Sequence, residues 1–240
     1  MATAPSKKEG PKVVSQAEWL AARKELLSRE KEFTRLRDEL SRQRRELPWE
    51  VVDKKYVFEG PSGKQTLPEL FDGRSQLIVY HFMFDPSWEA GCPHCSFWAD
   101  NFNGIIVHLN QRDATMIAVS RAPYRKLAAY EKRMGWNFKW VSSSETDFNF
   151  DYHVSFTPEE AAQKKALYNF GTQAPHNTEQ QGVSVFYKDP KGSVFHTYST
   201  HARGIDLLNT AYNYLDLAPK GRDEGDRGQF WVRRHDEYGR

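Results

Sequence analysis

Residues 77–84 read Leu-Ile-Val-Tyr-His-Phe-Met-Phe, an almost unbroken apolar and β-prone run. A strand with one wet face alternates apolar and polar positions. A run like this one fits a central strand covered on both faces. Met116-Ile117-Ala118-Val119-Ser120 is a second run of the same kind. A chain with two such strands needs layers on both sides of its sheet.

The segments around these runs supply the layers. Cys92 opens a predicted helix running to about Gln111, and a second helix spans Tyr124 to Met134. Phe138 to Ser142 reads as a strand, and Phe148 to Phe156 as strand-like. Thr157-Pro158-Glu159-Glu160 is a helix start, with a capping threonine and proline in the first turn. Val183–Tyr187 and Ser193–Tyr198 flank a turn and form a hairpin, and Ile205 to Leu215 is a closing helix with Leu207, Leu208, Tyr212 and Leu215 on one side. Earlier, Glu50–Val52 and Tyr56–Phe58 are short strands, Gly60–Gly63 a turn, and Thr66–Phe71 one helical turn. The order strand, helix, strand, helix, strand, insertion, hairpin, helix implies an α/β fold. It is a thioredoxin-like mixed sheet with flanking helices, decorated by an N-terminal hairpin and an insertion at about 143–182.

Four stretches follow along the chain: 1–14 disordered, 15–48 an N-terminal helical arm, 49–217 the thioredoxin-like domain, and 218–240 a C-terminal tail. Ser15 with Glu18 is a capping-box pattern. In the arm, Trp19, Leu26, Phe33, Leu40 and Leu47 repeat every seven residues. Only one seam position is consistently apolar, whereas a coiled coil wants two. An arm lying on its own domain and an arm clasping a second copy in a homodimer both remain open. Phe230-Trp231, ahead of a charged end, predicts a docked tail.

Lys and Arg number 34 against 32 Asp and Glu. That balance argues against nucleic acid as a partner, because phosphate binding wants a basic excess. Nothing near the N-terminus resembles a signal peptide or a membrane span. A cytoplasmic, reducing location follows as the expectation, with no membrane partner. There, the chain's two cysteines point to redox chemistry or metal binding rather than to a permanent staple.

Those cysteines form Cys92-Pro93-His94-Cys95, just beyond the carboxyl end of the first central strand, where open sheets place their sites. Cys92 falls at the helix N-cap, and Pro93 at the first helical position, which suits proline. Free N–H groups and the helix dipole at that end favour an anion, so the Cys92 thiol should ionise below the ordinary value of about 8.5. A protonated His94 adds to this. Cys95 lies nearly a turn deeper. Cys92 then attacks and Cys95 resolves the mixed disulfide, acting on a thiol or disulfide substrate, protein or small molecule, with no cofactor. A closed zinc site needs two further ligands, for which His176, His196 and His201 are candidates. Two thiolates also select Cu(I), so copper held by Cys92, Cys95 and His176 or His196 is the alternative, for delivery or redox chemistry at the metal.

Gly91-Cys92-Pro93-His94-Cys95-Ser96-Phe97-Trp98-Ala99-Asp100-Asn101-Phe102-Asn103-Gly104 resembles the signature of a bacterial thioredoxin-like family of unknown function. Trp136–Ser143, Asp147–Asp151, Val194–Thr200 and Trp231–Tyr238 match it too. The family is usually labelled predicted dithiol-disulfide oxidoreductases, and the resemblance implies that activity. Pro-His between the thiols is also the pair found in DsbA, which implies an acidic Cys92. The hairpin and Leu67–Phe71 resemble peroxiredoxin-like and Sco-like relatives. One departure stands out: thioredoxins carry a cis-proline before the third core strand, and this chain offers Gly182 or Val183 there. Sco-like copper chaperones carry a histidine near that place, and His176 is a few residues upstream.

Trp88 and Trp98 flank the dithiol and, with Tyr198, are candidate substrate-binding residues; packing competes as the reading for both tryptophans. His196 and His201 lie on or just after the hairpin's second strand. His81, mid-strand, reads as a hydrogen-bonded core histidine. Phe148 joins Trp88 and Trp98 as a lining candidate if the insertion shapes a small-molecule pocket.

Overall fold

The computed structural model describes residues 11–163 and 166–239. The disorder expected over 1–14 falls, for residues 1–10, outside the described residues. The chain divides at Leu47/Pro48 into two units.

The first unit is one helix, α1 (Gln16–Arg45), opened by the Ser15–Glu18 capping box. No residue of it is buried. It is not apolar enough to cross a membrane, nor is any other helix among the described residues.

In the second unit the strands are β1 (Glu50–Val51), β2 (Val57–Gly60), β3 (Gly63–Thr66), β4 (Gln76–His81), β5 (Ala114–Ser120), β6 (Lys139–Ser142), β7 (Gly182–Lys188) and β8 (Val194–His201). Among the described residues they form one mixed sheet in the order β1-β8-β7-β4-β5-β6-β2-β3. β4, β5 and β6 run parallel, while β7 and β8 return antiparallel beside β4. Two parallel strands with an antiparallel hairpin on the far side of the first is the thioredoxin-like core. β2–β3 extends it at one edge and β1 at the other.

The central strands are dry on both faces, as their composition demands. Tyr80, Phe82, Met116 and Ala118 face one core, with Trp136, Phe138 and Trp140. Leu77, Val79, Ile117 and Val119 face the other, with Phe58, Leu70, Phe71, Phe148 and Phe186. The first core is closed by α2 (Pro93–Ala99) and α4 (Tyr124–Met134). α4 turns Leu127, Tyr130 and Met134 inward at helical spacing and stops at Gly135, whose φ of +65° suits a left-handed cap.

Three expected elements differ. The helix from Cys92 does not reach Gln111; α2 ends at Ala99 and a separate α3 covers Ile106–Asn110. Asn101 donates to the carbonyls of Phe97 and Trp98 at 2.9 and 3.0 Å, capping α2. Asn103 ties the intervening loop to Gly135 and Asn137. Asparagine competes with helix in this way because its amide bonds nearby backbone.

Phe148–Phe156 is not strand-like throughout. It opens as α5 (Phe148–Asp151), which puts Phe148 and Tyr152 on one side with ring centroids 4.6 Å apart. The closing helix is also broken. A 3-10 segment, Ala202–Leu208, gives way at buried Asn209, whose side chain caps the helix that follows, Thr210–Leu215. Ile205 and Tyr212 are buried, whereas Leu207 and Leu208 are exposed.

The segment between β6 and β7 also carries α6 (Pro158–Gln163), so the final helix, Thr210–Leu215, is α7. This segment is fastened by a buried strut. Arg121, just past β5, pairs with Glu179 and Asp85, each at 2.9 Å, and Ser155 donates to Glu179 at 2.9 Å. Burial pushes the Glu179 carboxyl up to about 7 against the pull of Arg121.

Candidate active site

β4 ends at His81, and the chain passes through Phe82–Gly91 into α2, whose N-cap is Cys92 with Pro93 next. Gly91 is required here by close approach: a Cβ would lie 2.8 Å from Phe82 Cε1 and 2.9 Å from Tyr130 Cε1. Cys92 N–H donates to Met83 O at 3.1 Å, which pins the turn to the strand it left.

The two thiols are free and differ sharply. Cys92 keeps 8% of its surface, and Cys95 none. The Cys92 thiol is held well below its ordinary value, foremost by a hydrogen bond from Cys95, then by His94, and against the cost of burial. His94 Nδ1 stands 3.9 Å from Cys92 Sγ. His94 is in turn raised, chiefly by Cys92 and also by the Gln229 backbone. Burial, then Cys92, push the Cys95 thiol well above its ordinary value. Met83 N–H donates to Cys95 Sγ at 3.3 Å, and Gln181 Oε1 lies 3.7 Å from it. Tyr80, buried on β4, donates to the same Gln181 oxygen at 3.3 Å.

A second set of bonds holds the turn from behind. Arg234 of the tail donates to the Gly91 carbonyl through Nε at 3.2 Å and Nη2 at 2.7 Å, and to Tyr130 Oη at 2.8 Å. Tyr130 and Ser96 hydroxyls are 2.9 Å apart, and Ser96 Oγ donates to Cys92 O at 2.9 Å. Arg234, Tyr130, Ser96 and the peptide carbonyls on both sides of Cys92 thus form one network. The tail is seated by Trp231 edge-on to Phe97, by buried Val232, and by Arg133 paired with Asp236 and Glu237.

In front of the dithiol lies a cleft of about 1220 Å³. Cys92, His94, Met83 and Trp98 are among the residues that line it. The insertion contributes Tyr168, His176 and Gln181, and the tail Glu224, Arg227 and Phe230.

Against the sequence expectations, the structure brings Cys92, His94, Cys95, Trp98 and His176 to this region. Trp98 is nearly buried and its Nε1 donates to Ile205 O at 3.0 Å, so it presents an edge of a packed ring. Three expectations are corrected. Trp88 is outside the cleft; it packs against the core behind α2, its carbonyl held by Lys126. Tyr198 sits opposite Val185, well down β8 from the dithiol, and does not line the cleft. His196 points to the other face, where its Nε2 is 2.7 Å from Ser199 Oγ and its ring packs on Tyr152 and Phe186.

The sheet therefore separates His196 from the cysteines, and the proposed three-donor copper set is not assembled. Among the described residues no three His, Cys, Asp or Glu side chains converge as metal ligands. His201, the other zinc candidate, is buried against Tyr168 and Phe170.

The cis-proline is absent as expected: no cis peptide bond occurs among the described residues. Gln181-Gly182 takes its place, and a Cβ on Gly182 would lie 2.6 Å from His201 Cδ2. Sequence reading missed Gln181, Tyr80, Tyr130, Ser96 and Arg234. The apolar anchor Phe230-Trp231 signalled a docked tail, but nothing in it named Arg234 as the residue that reaches the dithiol turn.

The chain is similar to solved peroxiredoxins. Peroxiredoxin Q of Xanthomonas campestris is 15% identical, over 70% of this chain and 95% of that one, with a TM-score of 0.46. Peroxidoxin BcpB from Mycobacterium tuberculosis is 14% identical, over 67% and 92%, with a TM-score of 0.45. A yeast mitochondrial 1-Cys peroxiredoxin is 15% identical, over 71% and 77%, with a TM-score of 0.42. Comparison with curated proteins gives no match. Residues 8–238 match the model of a family described as "Bacterial protein of unknown function (DUF899)", and the chain belongs to that family.

Proposed function

We propose that this protein is a thiol–disulfide oxidoreductase in which Cys92 attacks and Cys95 resolves. One observation carries the reading: of two free thiols separated by two residues, Cys92 caps the N-terminus of α2 and reaches the cleft while Cys95 is fully buried beside it, and this setting favours Cys92 as thiolate and Cys95 as thiol. Exchange needs that asymmetry, because the attacking sulfur must be ionised while its partner waits protonated.

The Cys92 thiolate attacks one sulfur of a disulfide RS–SR′. The S–S bond breaks, R′S⁻ leaves, and a Cys92–SR mixed disulfide forms. Cys95 then gives up its proton to the departing thiolate or to solvent and attacks Cys92 Sγ. RS⁻ leaves, the Cys92–Cys95 disulfide forms, and the substrate has taken two electrons from the dithiol. No organic cofactor enters. The reverse sequence oxidises a dithiol substrate.

Cys95→Ser should trap the mixed disulfide with a chromogenic aryl disulfide, one adduct per chain by mass, and Cys92→Ser should form none. Adduct on Cys95 alone would overturn the assignment of roles. A redox titration of the wild-type pair should fit a single two-electron couple.

A further inference from the structure

Of the two thiols, Cys92 lines the cleft, and the cleft limits what reaches it. With 8% of its surface exposed, Cys92 lines a space of about 1220 Å³. That is room for a molecule of some hundreds of daltons. The walls are the insertion and the tail. A disulfide in a folded protein would have to bring its flanking backbone past both. The peptide platform that thioredoxins offer such a partner is replaced by the Gln181 side chain, committed to Tyr80.

The walls also carry unspent charge of both signs. Arg222 is committed to Asp206 and Asp216, at 2.9 and 2.8 Å. Glu224 and Arg227 are not committed in that way. Glu224 Oε1 accepts from two neutral donors, Tyr212 Oη at 2.7 Å and Trp231 Nε1 at 2.8 Å, which orient the carboxylate without cancelling its charge. Arg227 lies over the Phe230 ring at 3.6 Å and pairs with no carboxylate among the described residues. These two groups sit at the cap and the last residue of one 3-10 turn, Gly225–Arg227, and both line the cleft that Cys92 lines. A fixed carboxylate and a guanidinium so close together suit a ligand that carries its own ammonium and carboxylate.

Resting on the exchange reading above, we propose that the substrate is a low-molecular-weight zwitterionic disulfide, derived from an amino acid or short peptide. Glu224 receives its ammonium group and Arg227 its carboxylate. The dithiol supplies two electrons and two protons, RSSR becomes two RSH, and Cys92 and Cys95 are left as a disulfide.

The full chain, reduced with a phosphine and desalted, is mixed with one of four oxidants: cystine, glutathione disulfide, neutral 2-hydroxyethyl disulfide, or insulin. Loss of the two thiols gives the rate. Cystine or glutathione disulfide should react on the order of tenfold or more faster than hydroxyethyl disulfide, a margin that one or two charge-assisted contacts supply. Insulin should be slowest. In Glu224→Gln/Arg227→Gln the ratio should fall toward one; glutamine keeps the acceptor for Tyr212 and Trp231, so the wall stays folded. Insulin as fast as cystine, or a charge preference that survives in the double variant, overturns the substrate assignment. Failure of all four to oxidise the dithiol overturns the exchange reading beneath it.

Discussion

The upper end of β4 buries titratable groups on both faces of the sheet, and the two faces treat them in opposite ways. On one face, Cys92 and Cys95 are supplied with charge-bearing and N–H partners, and one thiol is pulled toward its ion. On the other, His81 is fully buried, with Nε2 2.9 Å from Ser184 Oγ. Ser184 meets Ser199 at 2.9 Å, and Ser199 meets His196 at 2.7 Å. The two hydroxyls that follow His81 in that chain are neutral. Burial pushes His81 down to about 3 and His201 to about 4. Burial alone silences a titratable group; burial with a partner for the ion poises it.

Cys92→Ser is the severest way to break this contrast. It removes the attacking thiolate and should lower disulfide exchange at least about a thousandfold, to the rate of an unrelated thiol-free protein. Loss of thiols from an aryl-disulfide assay reads it directly. Residual exchange within tenfold of wild type would place the reactive sulfur at Cys95.

Acid tests the other face. His81 and His201 have folded-state values depressed below the ordinary one near 6.5. The unfolded chain therefore binds protons first, and stability falls as pH drops from about 6.5 toward 4. At pH 5 each histidine should cost on the order of 2 kcal/mol relative to pH 7. Urea unfolding of the wild type and of His81→Met at the two pH values isolates the His81 share, because Glu179, raised to about 7, acts in the opposite direction over the same range. His81→Met should lose less stability on acidification, by about 2 kcal/mol; an unchanged pH slope would show that His81 does not carry it. Alkylation of Cys92 over the same range should follow its own titration and not the histidines'.

The tail gives a smaller, mixed effect. Arg234→Ala removes two hydrogen bonds from the Gly91 carbonyl and one from Tyr130, leaving that carbonyl only a long bond from Tyr130 Oη at 3.5 Å, at a cost of about 1–3 kcal/mol. A residue that only props up the fold would change the unfolding midpoint alone. A residue that positions the Cys92 turn should also shift the pH midpoint of Cys92 alkylation, and Arg234→Lys should restore part of that shift.

What the sequence made legible follows from how local each signal is. The runs at 77–84 and 116–120 announce buried strands, because both of their faces are apolar. The N-cap position of Cys92 is legible because proline at the first helical position and the C-x-x-C spacing act within one turn. Asn101 and Asn209 broke expected helices through side-chain bonds that apolar periodicity does not register. The side of the sheet on which a β8 residue faces depends on register, and the register shifts between Val185 and Phe186. That irregularity lies where β7 meets the stretch of β8 that carries His196. Arg234 reaches Gly91 across 143 positions of sequence, a distance at which no local pattern operates.

His94 offers the finest discrimination within the dithiol face. Its folded-state value is raised, mainly by the Cys92 thiolate. Its stabilisation of that thiolate is therefore fully present below the ordinary histidine value and fades as pH rises through the raised one. Cys95 is the larger cause of the low Cys92 value, so losing His94 leaves most of the depression in place. His94→Asn should slow Cys92 alkylation by a factor of about three to ten near pH 6, the worth of one partly buried charge-assisted contact. The two profiles should converge at pH values above the raised His94 titration, where the wild-type imidazole is neutral. A gap of equal size at every pH would mean that His94 acts by shape rather than by charge. Cys95→Ala, measured alongside, should give the larger displacement of the same profile, moving the Cys92 midpoint upward toward that of an ordinary thiol. If His94→Asn moves it further than Cys95→Ala, the histidine rather than the second thiol sets the reactive form of Cys92.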